Sequence, residues 1–127
     1  MSDPLRIGLS GLGTVGTGGL DAIVRHGDLL AARCGRSLNV TAVSARTRSK
    51  TRGVHDISPF TWYDDAADMA ANADIDVLVE LIGGEEGAAR ACVEAALKSG
   101  RHVVTANKAL LAHHGVALAR LAEANSV

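Results

Sequence analysis

The sequence has 127 residues, which suits one domain, and 47% of them are hydrophobic, which is enough for a substantial buried core. Only 2% are aromatic, so that core has to be built from Ala, Val, Leu and Ile. The net charge of -1 argues against binding to nucleic acid or an anionic membrane, and without a bilayer-length apolar segment or a charged leader we expect a cytoplasmic protein.

The first predicted strand runs directly into a glycine-rich turn. Residues 5–16 read LRIGLSGLGTVG, in which Gly11, Gly13 and Gly16 form the pattern G-x-G-x-x-G ahead of a helix. The first glycine makes a tight turn, the second lets the backbone approach a pyrophosphate, and the third lets the helix pack on the strand. By itself the pattern is weak, because an ordinary strand-to-helix turn in a chain with 14 glycines can match it. In this order of elements it predicts a dinucleotide site at the helix N-terminus.

A helical region, a second strand and a basic loop follow. The helical region is broken near Gly27, so it forms one long helix or two short ones. Residues 38–45 are rich in β-branched side chains and predict a strand. Residues 46–59 have no sustained apolar period and carry several basic side chains, which predicts a surface loop. A short third strand is predicted at residues 60–63.

Helix and strand alternate again in the second half of the chain. One of the two aspartates at 64–65 can cap a helix, and residues 76–82 form the clearest strand. Its VLVEL core predicts a central parallel strand that is buried on both faces. An apolar stripe over residues 89–97 predicts the next helix, with the two glutamates at 85–86 near its start.

The last predicted elements are a strand and two helices. Residues 101–105 give the fifth strand, and Asn107 can cap a short helix that ends at His113. Gly115 separates this short helix from a final amphipathic one.

This alternation is typical of a doubly wound parallel α/β sheet with right-handed crossovers. We predict a Rossmann-like fold with the strand order 3-2-1-4-5. The winding reverses between the first and fourth strands, and ligands bind outside the carboxyl ends of the strands at such a switch. Three loops, residues 11–16, 82–84 and 106–108, should therefore converge on one site.

The residue after the second strand bears on the choice of cofactor. The dinucleotide pattern places an acidic residue about 20 positions past the glycines to bind the ribose 2′-OH, and this chain has none there. Arg46 stands at the end of the second strand instead, where its guanidinium fork suits a 2′-phosphate, with Arg48 and Lys50 as helpers. NADP(H) is therefore favoured over NAD(H), which stays open as the alternative. The competing interpretation is that these bases only solvate a loop.

Lys108 is the candidate for proton transfer. It follows the fifth strand, in the first turn of the helix that Asn107 caps. The positive end of a helix and partial burial both disfavour an ammonium, so a lysine there gives up its proton more easily and can relay it. The alternative is a solvent-facing lysine without a chemical role.

Cysteines and histidines do not suggest a metal site. Cys34 and Cys92 lack the spacing of a metal or redox motif and are expected to pack as small hydrophobic residues. His113 and His114 are adjacent, so on a helix they point in different directions and make a poor pair of ligands.

Four segments of the chain read, in order, IGLSGLGTVG, VSARTRSKTRG, VLVELIGG and VVTANKALLA. Together they resemble the cofactor domain of homoserine dehydrogenase, and the resemblance covers essentially the whole chain. The resemblance implies NAD(P)-dependent interconversion of L-homoserine and L-aspartate 4-semialdehyde, a step toward threonine, methionine and isoleucine. Some members have proline where Ala106 stands here, a difference that affects the turn and not the lysine.

The same resemblance assigns roles to individual residues. It implies that the pyrophosphate contacts Gly13, Thr14, Val15 and Gly16, the adenosine phosphate Arg46 and Lys50, and the nicotinamide side Gly83, Thr105 and Lys108.

The family's substrate domain would begin after about residue 127, so we expect residues 1–127 to be the dinucleotide-binding part of a longer protein. Such a piece would hold cofactor without catalysing, and the complete protein would be a homo-oligomer through its substrate domain. Two alternatives stay open: another NAD(P)-dependent oxidoreductase, such as an aspartate dehydrogenase or an imine reductase, and a nucleotide-sensing domain that has no use for Lys108.

Overall fold

The computed structural model describes residues 3–46 and 56–127, which form five strands and five helices. In chain order they are β1 Leu5–Ser10, α1 Thr14–Arg25, α2 Gly27–Cys34, β2 Leu38–Ser44, β3 Thr61–Tyr63, α3 Ala66–Asn72, β4 Val77–Glu80, α4 Ala88–Lys98, β5 His102–Thr105 and α5 Lys108–Ala124.

The strands form one parallel sheet in the order β3-β2-β1-β4-β5, which confirms the predicted Rossmann-like fold. Their last residues lie in register. Ser10 pairs with both Ser44 and Glu80, Ser44 pairs with Tyr63, and Glu80 pairs with Thr105. The loops that leave these strands therefore start from one row, the carboxyl edge of the sheet.

Apolar side chains cover both faces of the sheet, as a doubly wound fold requires. On one face Met69 of α3, Cys92 of α4 and Leu110 of α5 are fully buried in the larger core cluster. On the other face Leu20 of α1 packs with Leu9 and Val43 of the central strands. The central strands are buried between the two clusters, so the carboxyl edge is held on a rigid platform.

An ion-pair cluster ties the opposite, amino edge of the sheet. The guanidinium of Arg6 donates to Asp76 from Nη2 over 2.8 Å and from Nε over 3.1 Å, and the Arg6 backbone N–H donates to the same carboxylate over 2.9 Å. Arg6 also contacts the exposed Asp74. These hydrogen bonds from Arg6 lower the pKa of Asp76 to about 2, because they stabilise its charged form more than partial burial opposes it.

Several local predictions are corrected. The final helix is continuous through Gly115, whereas a break was predicted there. A glycine inside a helix costs only about 1 kcal/mol relative to alanine, and burial of Leu110 and Leu118 on either side offsets that cost. Helix α4 begins at Ala88, one residue before the predicted apolar stripe, and Gly87 before it has a φ of +71°.

The helical region after the glycine turn forms two helices, α1 and α2, which meet at His26. Asp65 is the residue that caps α3, accepting from the Ala67 amide over 3.0 Å. The two cysteines differ, since Cys92 is buried as predicted whereas Cys34 is exposed. Among the helices of the described residues, none has the length and apolar character needed to cross a bilayer.

Candidate functional site

The turn between β1 and α1 depends on two of its three patterned glycines for packing. Gly11 has a φ of +93°, and a Cβ there would lie 2.7 Å from the carbonyl oxygen of Leu81. A Cβ on Gly16 would overlap the carbonyl oxygen of Gly11. A Cβ on Gly13 would meet no protein atom within 4 Å. The first and third glycines therefore hold the turn against its neighbours, and the second faces open space.

This turn leads into a helix whose N-terminus has no described side-chain cap. Gly13 is the N-cap of α1, and within the described part of the chain no side chain caps this helix and no acidic residue lies in its first turn. Thr14 and Val15 are exposed in that first turn. Amide N–H groups at such an end carry a partial positive charge and lack acceptors, so they favour an anion.

A cavity of about 550 Å³ opens beside the turn at the carboxyl edge of the sheet. Loops from four strands line it, with Gly11 and Gly13 after β1, Arg46 after β2, and Ile82 after β4 among the residues. Arg46 is exposed at this rim. The structure therefore brings the glycine turn, Ile82 of the second predicted loop and Arg46 to one cavity, whereas no residue of the third predicted loop, 106–108, is among the described residues that line it.

Two carboxylates after β3 also line the cavity, which sequence reasoning did not anticipate. Asp64 accepts a hydrogen bond from the indole Nε1 of Trp62 over 2.7 Å. Asp65 accepts from the Ala67 amide and so occupies the positive end of α3. Helix α4, whose first residue Ala88 lines the cavity, instead has a glycine N-cap, and no described side chain caps it. The helix ends that remain available to an anion at this cavity are thus those of α1 and α4.

The corners after β4 and β5 are joined by the buried carboxylate of Glu80. Its Oε1 accepts from the backbone N–H groups of Ile82 over 2.7 Å and of Gly83 over 3.0 Å. Its Oε2 accepts from the Thr105 hydroxyl over 2.6 Å. Glu80 itself is fully buried. A charged residue inside the apolar VLVEL run was the signal in the sequence that could have singled it out.

Asn107 makes a second connection between the same two corners. Its backbone N–H donates to the Thr105 hydroxyl oxygen over 3.0 Å, and its side-chain Nδ2 donates to the Gly84 carbonyl over 2.5 Å. Its Oδ1 accepts from the Leu110 amide over 3.0 Å, which caps α5 as predicted. The corners after β4 and β5 therefore form one hydrogen-bonded unit.

Lys108 is the first residue of α5 and lies next to this unit, at the carboxyl edge. It is exposed, which corrects the expectation of partial burial. It is not among the residues lining the 550 Å³ cavity, as far as the described residues define that cavity. Lys50, the proposed second phosphate ligand, lies outside the described residues, as does Arg48.

Polar side chains connect α5 to the loop before α4. His114 Nε2 lies 2.6 Å from Glu86 Oε1, and Arg90 donates to the same carboxylate and to Glu94. The pKa of Glu86 is lowered, mainly by the hydrogen bonds from Arg90 and to a smaller extent by the one from His114. Residues 3–46 and 56–127 contain no group of three or more side chains able to hold a metal ion.

A parallel sheet whose first strand feeds a glycine turn and an open helix N-terminus, at the point where the winding reverses, defines a dinucleotide-binding domain. A family model described as "Homoserine dehydrogenase, NAD binding domain" matches residues 11–127. The chain therefore belongs to the family of homoserine dehydrogenase NAD-binding domains.

Individual relatives agree with this assignment. The homoserine dehydrogenase of Pseudomonas aeruginosa is 44% identical over 112 residues, which are 88% of this chain and 25% of that protein. The crystal structure of a homoserine dehydrogenase from Thiobacillus denitrificans matches with a TM-score of 0.87 and 37% identity, covering 98% of this chain and 28% of that one.

A hyperthermophilic archaeal homoserine dehydrogenase in complex with NADPH shares the fold, with a TM-score of 0.73 at 22% identity over 98% of this chain and 42% of that one. The chain spans about a quarter of the length of the curated relatives it matches.

Proposed function

We propose that this domain binds NADP(H) in preference to NAD(H), as the cofactor domain of an enzyme that interconverts L-homoserine and L-aspartate 4-semialdehyde. The observation that carries the cofactor preference is the position of Arg46, which borders the same cavity as Gly11 and Gly13. Following the family resemblance, we place the complete enzyme in the cytoplasm as a homo-oligomer that serves threonine and methionine biosynthesis.

The pyrophosphate would bind at the N-terminus of α1. The amides after Gly13 lack a described capping side chain, and the open space at Gly13 lets an anion approach the backbone. Thr14 and Val15, both exposed in the first turn, would lie against the same group. Gly16 contributes by letting α1 approach the turn closely enough to present these amides.

The adenosine end would lie toward β2, where Arg46 provides the 2′-phosphate ligand, with Lys50 as a second base. A guanidinium binds a phosphate through two parallel, charge-assisted hydrogen bonds. Its interaction with a neutral ribose 2′-OH is much weaker. Asp64 and Asp65 also line this cavity, and each accepts one hydrogen bond from this chain through its Oδ1. The archaeal relative's complex with NADPH is consistent with this choice of nucleotide.

The nicotinamide end would lie toward Gly83, Thr105 and Lys108, beside the β4–β5 corners. When bound, the nicotinamide supplies or accepts the hydride that interconverts aldehyde and alcohol. Lys108 would then donate a proton to the carbonyl oxygen in reduction and remove it in oxidation. Substrate binding would require the part of the enzyme that this chain does not contain, so the chain alone would bind cofactor without turnover.

The cofactor preference is tested with Arg46→Ala in the 127-residue chain. We expect NADPH affinity to fall by about tenfold or more, because a charge-assisted hydrogen bond contributes roughly 1.5 to 3 kcal/mol, while NADH affinity stays nearly unchanged. Isothermal titration calorimetry with the two nucleotides measures both constants. Arg33→Ala, an exposed arginine in α2, removes the same charge away from the cavity and serves as the control. Equal losses for both nucleotides would contradict the assignment of Arg46.

A further inference from the structure

The carboxylate of Glu80 is buried at the end of a central strand, where a charge has to be balanced by hydrogen bonds. Its described partners are the amides of Ile82 and Gly83 and the hydroxyl of Thr105. All three partners are hydrogen-bond donors, and an ionised carboxylate, which can only accept, requires donors as its partners. Because burying such a group is costly without partners, the two corners are held in the arrangement that supplies them.

This arrangement joins residues that are far apart in the chain. The Thr105 hydroxyl donates a hydrogen bond to Glu80, and its oxygen accepts one from the Asn107 amide. The Asn107 side chain in turn donates to the Gly84 carbonyl, so the hydrogen bonds lead back to the corner after β4. The start of α5, where Lys108 lies, is therefore fixed to the corner after β4 by side chains and not by backbone pairing alone.

We propose that Glu80 is a positioning residue that holds the nicotinamide half of the cofactor site in its binding geometry before the cofactor arrives. The inference rests on the proposed function for where the nicotinamide lies. It adds a division within the site: the adenosine half depends on Arg46, and the nicotinamide half depends on the hydrogen bonds of Glu80. The Thr105 hydroxyl links the two corners, because it uses its hydrogen in the hydrogen bond to Glu80.

Glu80→Gln and Thr105→Val both break the link with little change in volume. A carboxamide keeps one acceptor oxygen, so it cannot accept from the corner amides and the Thr105 hydroxyl as the carboxylate does. Valine at 105 removes the hydroxyl from the other side of the same hydrogen bond. Thr105→Ser retains the hydroxyl and is the conservative variant that should restore function.

The experiment compares two ligands by calorimetry, NADPH and adenosine 2′,5′-bisphosphate, which lacks the nicotinamide half. We expect Glu80→Gln and Thr105→Val each to weaken NADPH by about tenfold, as loss of a hydrogen bond to a charged group predicts, and to leave the bisphosphate within about twofold. Thr105→Ser should bind both ligands like the unsubstituted chain. Thr41→Val, which removes a hydroxyl that donates to the Asp74 carbonyl over 3.1 Å, is the matched control and should alter neither affinity.

The outcomes separate this inference from the proposed function. If Arg46→Ala weakens both NADPH and the bisphosphate but Glu80→Gln and Thr105→Val change neither, the cofactor assignment stands and the role of Glu80 is overturned. Equal weakening of both ligands by Thr105→Val also overturns it, because that pattern reports general loosening of the domain. If the unsubstituted chain binds neither ligand, the proposed function has failed and the inference fails with it. Should Glu80→Gln not fold, Thr105→Val and Thr105→Ser carry the test.

Discussion

The two edges of the sheet use their polar groups in opposite ways. At the amino edge, arginine side chains satisfy acceptors of the chain itself: Arg36 donates to the carbonyls of residues 3–4, and Arg101 donates to those of Ala71 and Ala73. At the carboxyl edge, the N-termini of α1 and α4 have glycine caps and border an open cavity. The amino edge is closed by internal partners, whereas the carboxyl edge has, beside its own internal hydrogen bonds, two helix N-termini whose donors can reach a ligand. Substitutions should therefore reduce stability at the first edge and binding or turnover at the second.

The largest effect is expected at Lys108, in the complete enzyme that contains this domain. Lys108→Gln removes the proposed proton donor, so we expect kcat to fall by about 10²- to 10⁴-fold, the usual contribution of general acid–base catalysis. NADPH affinity should change much less. Steady-state kinetics with a separate measurement of cofactor binding distinguishes the two effects.

The control for Lys108 is Lys98→Gln, which changes another exposed lysine, at the end of α4 toward the amino edge. It should leave kcat unchanged. If the two variants had equal activity, the proposed chemical role of Lys108 would be wrong.

A matched pair of glycines separates stability from binding within the carboxyl edge. Gly16→Ala places a methyl group on the Gly11 carbonyl oxygen, so we expect the free energy of unfolding to fall by about 1 to 3 kcal/mol or more. Gly13→Ala meets no protein atom within 4 Å and should change stability by less than about 0.5 kcal/mol, yet weaken NADPH by at least roughly tenfold. Urea unfolding and calorimetry on the two variants measure these quantities. Tight NADPH binding by Gly13→Ala would show that the pyrophosphate lies elsewhere.

The smallest effect is expected at the amino edge and depends on pH. The pKa of Asp76 is lowered from 3.8 to about 2 in the folded chain, so its ion pair with Arg6 stabilises the fold above about pH 4 and ceases to do so as the pH falls through 2. Asp76→Asn should cost about 1 to 2 kcal/mol at pH 7, a value reduced by partial exposure, and nothing below about pH 2.

Urea unfolding across this pH range measures the difference between the two chains. Asp74→Asn, at a far more exposed carboxylate that contacts the same arginine, should cost less than about 0.5 kcal/mol. A pH-independent difference for Asp76→Asn would show that geometry, and not charge, makes the contribution.

The sheet order and the corners at its carboxyl edge were predictable because the elements that make them rest on local patterns. The glycine turn, the VLVEL strand and the Asn107 cap are all read from neighbouring residues. Prediction failed where tertiary packing decides, as at Gly115, which stays helical because α5 is buried on both sides of it. The role of Glu80 was missed for a related reason. Its partner Thr105 lies 25 residues further along the chain, and only the fold brings the two together.

The two cysteines differ in exposure, so one of them can be labelled selectively. Burial raises the pKa of the Cys92 thiol to about 11, so at neutral pH it stays protonated and shielded from electrophiles. Cys34 is exposed at the last residue of α2, in the connection that leads into the start of β2. A maleimide fluorophore would therefore attach at a single position that does not line the cavity beside the glycine turn, without the need to remove the other thiol by mutation.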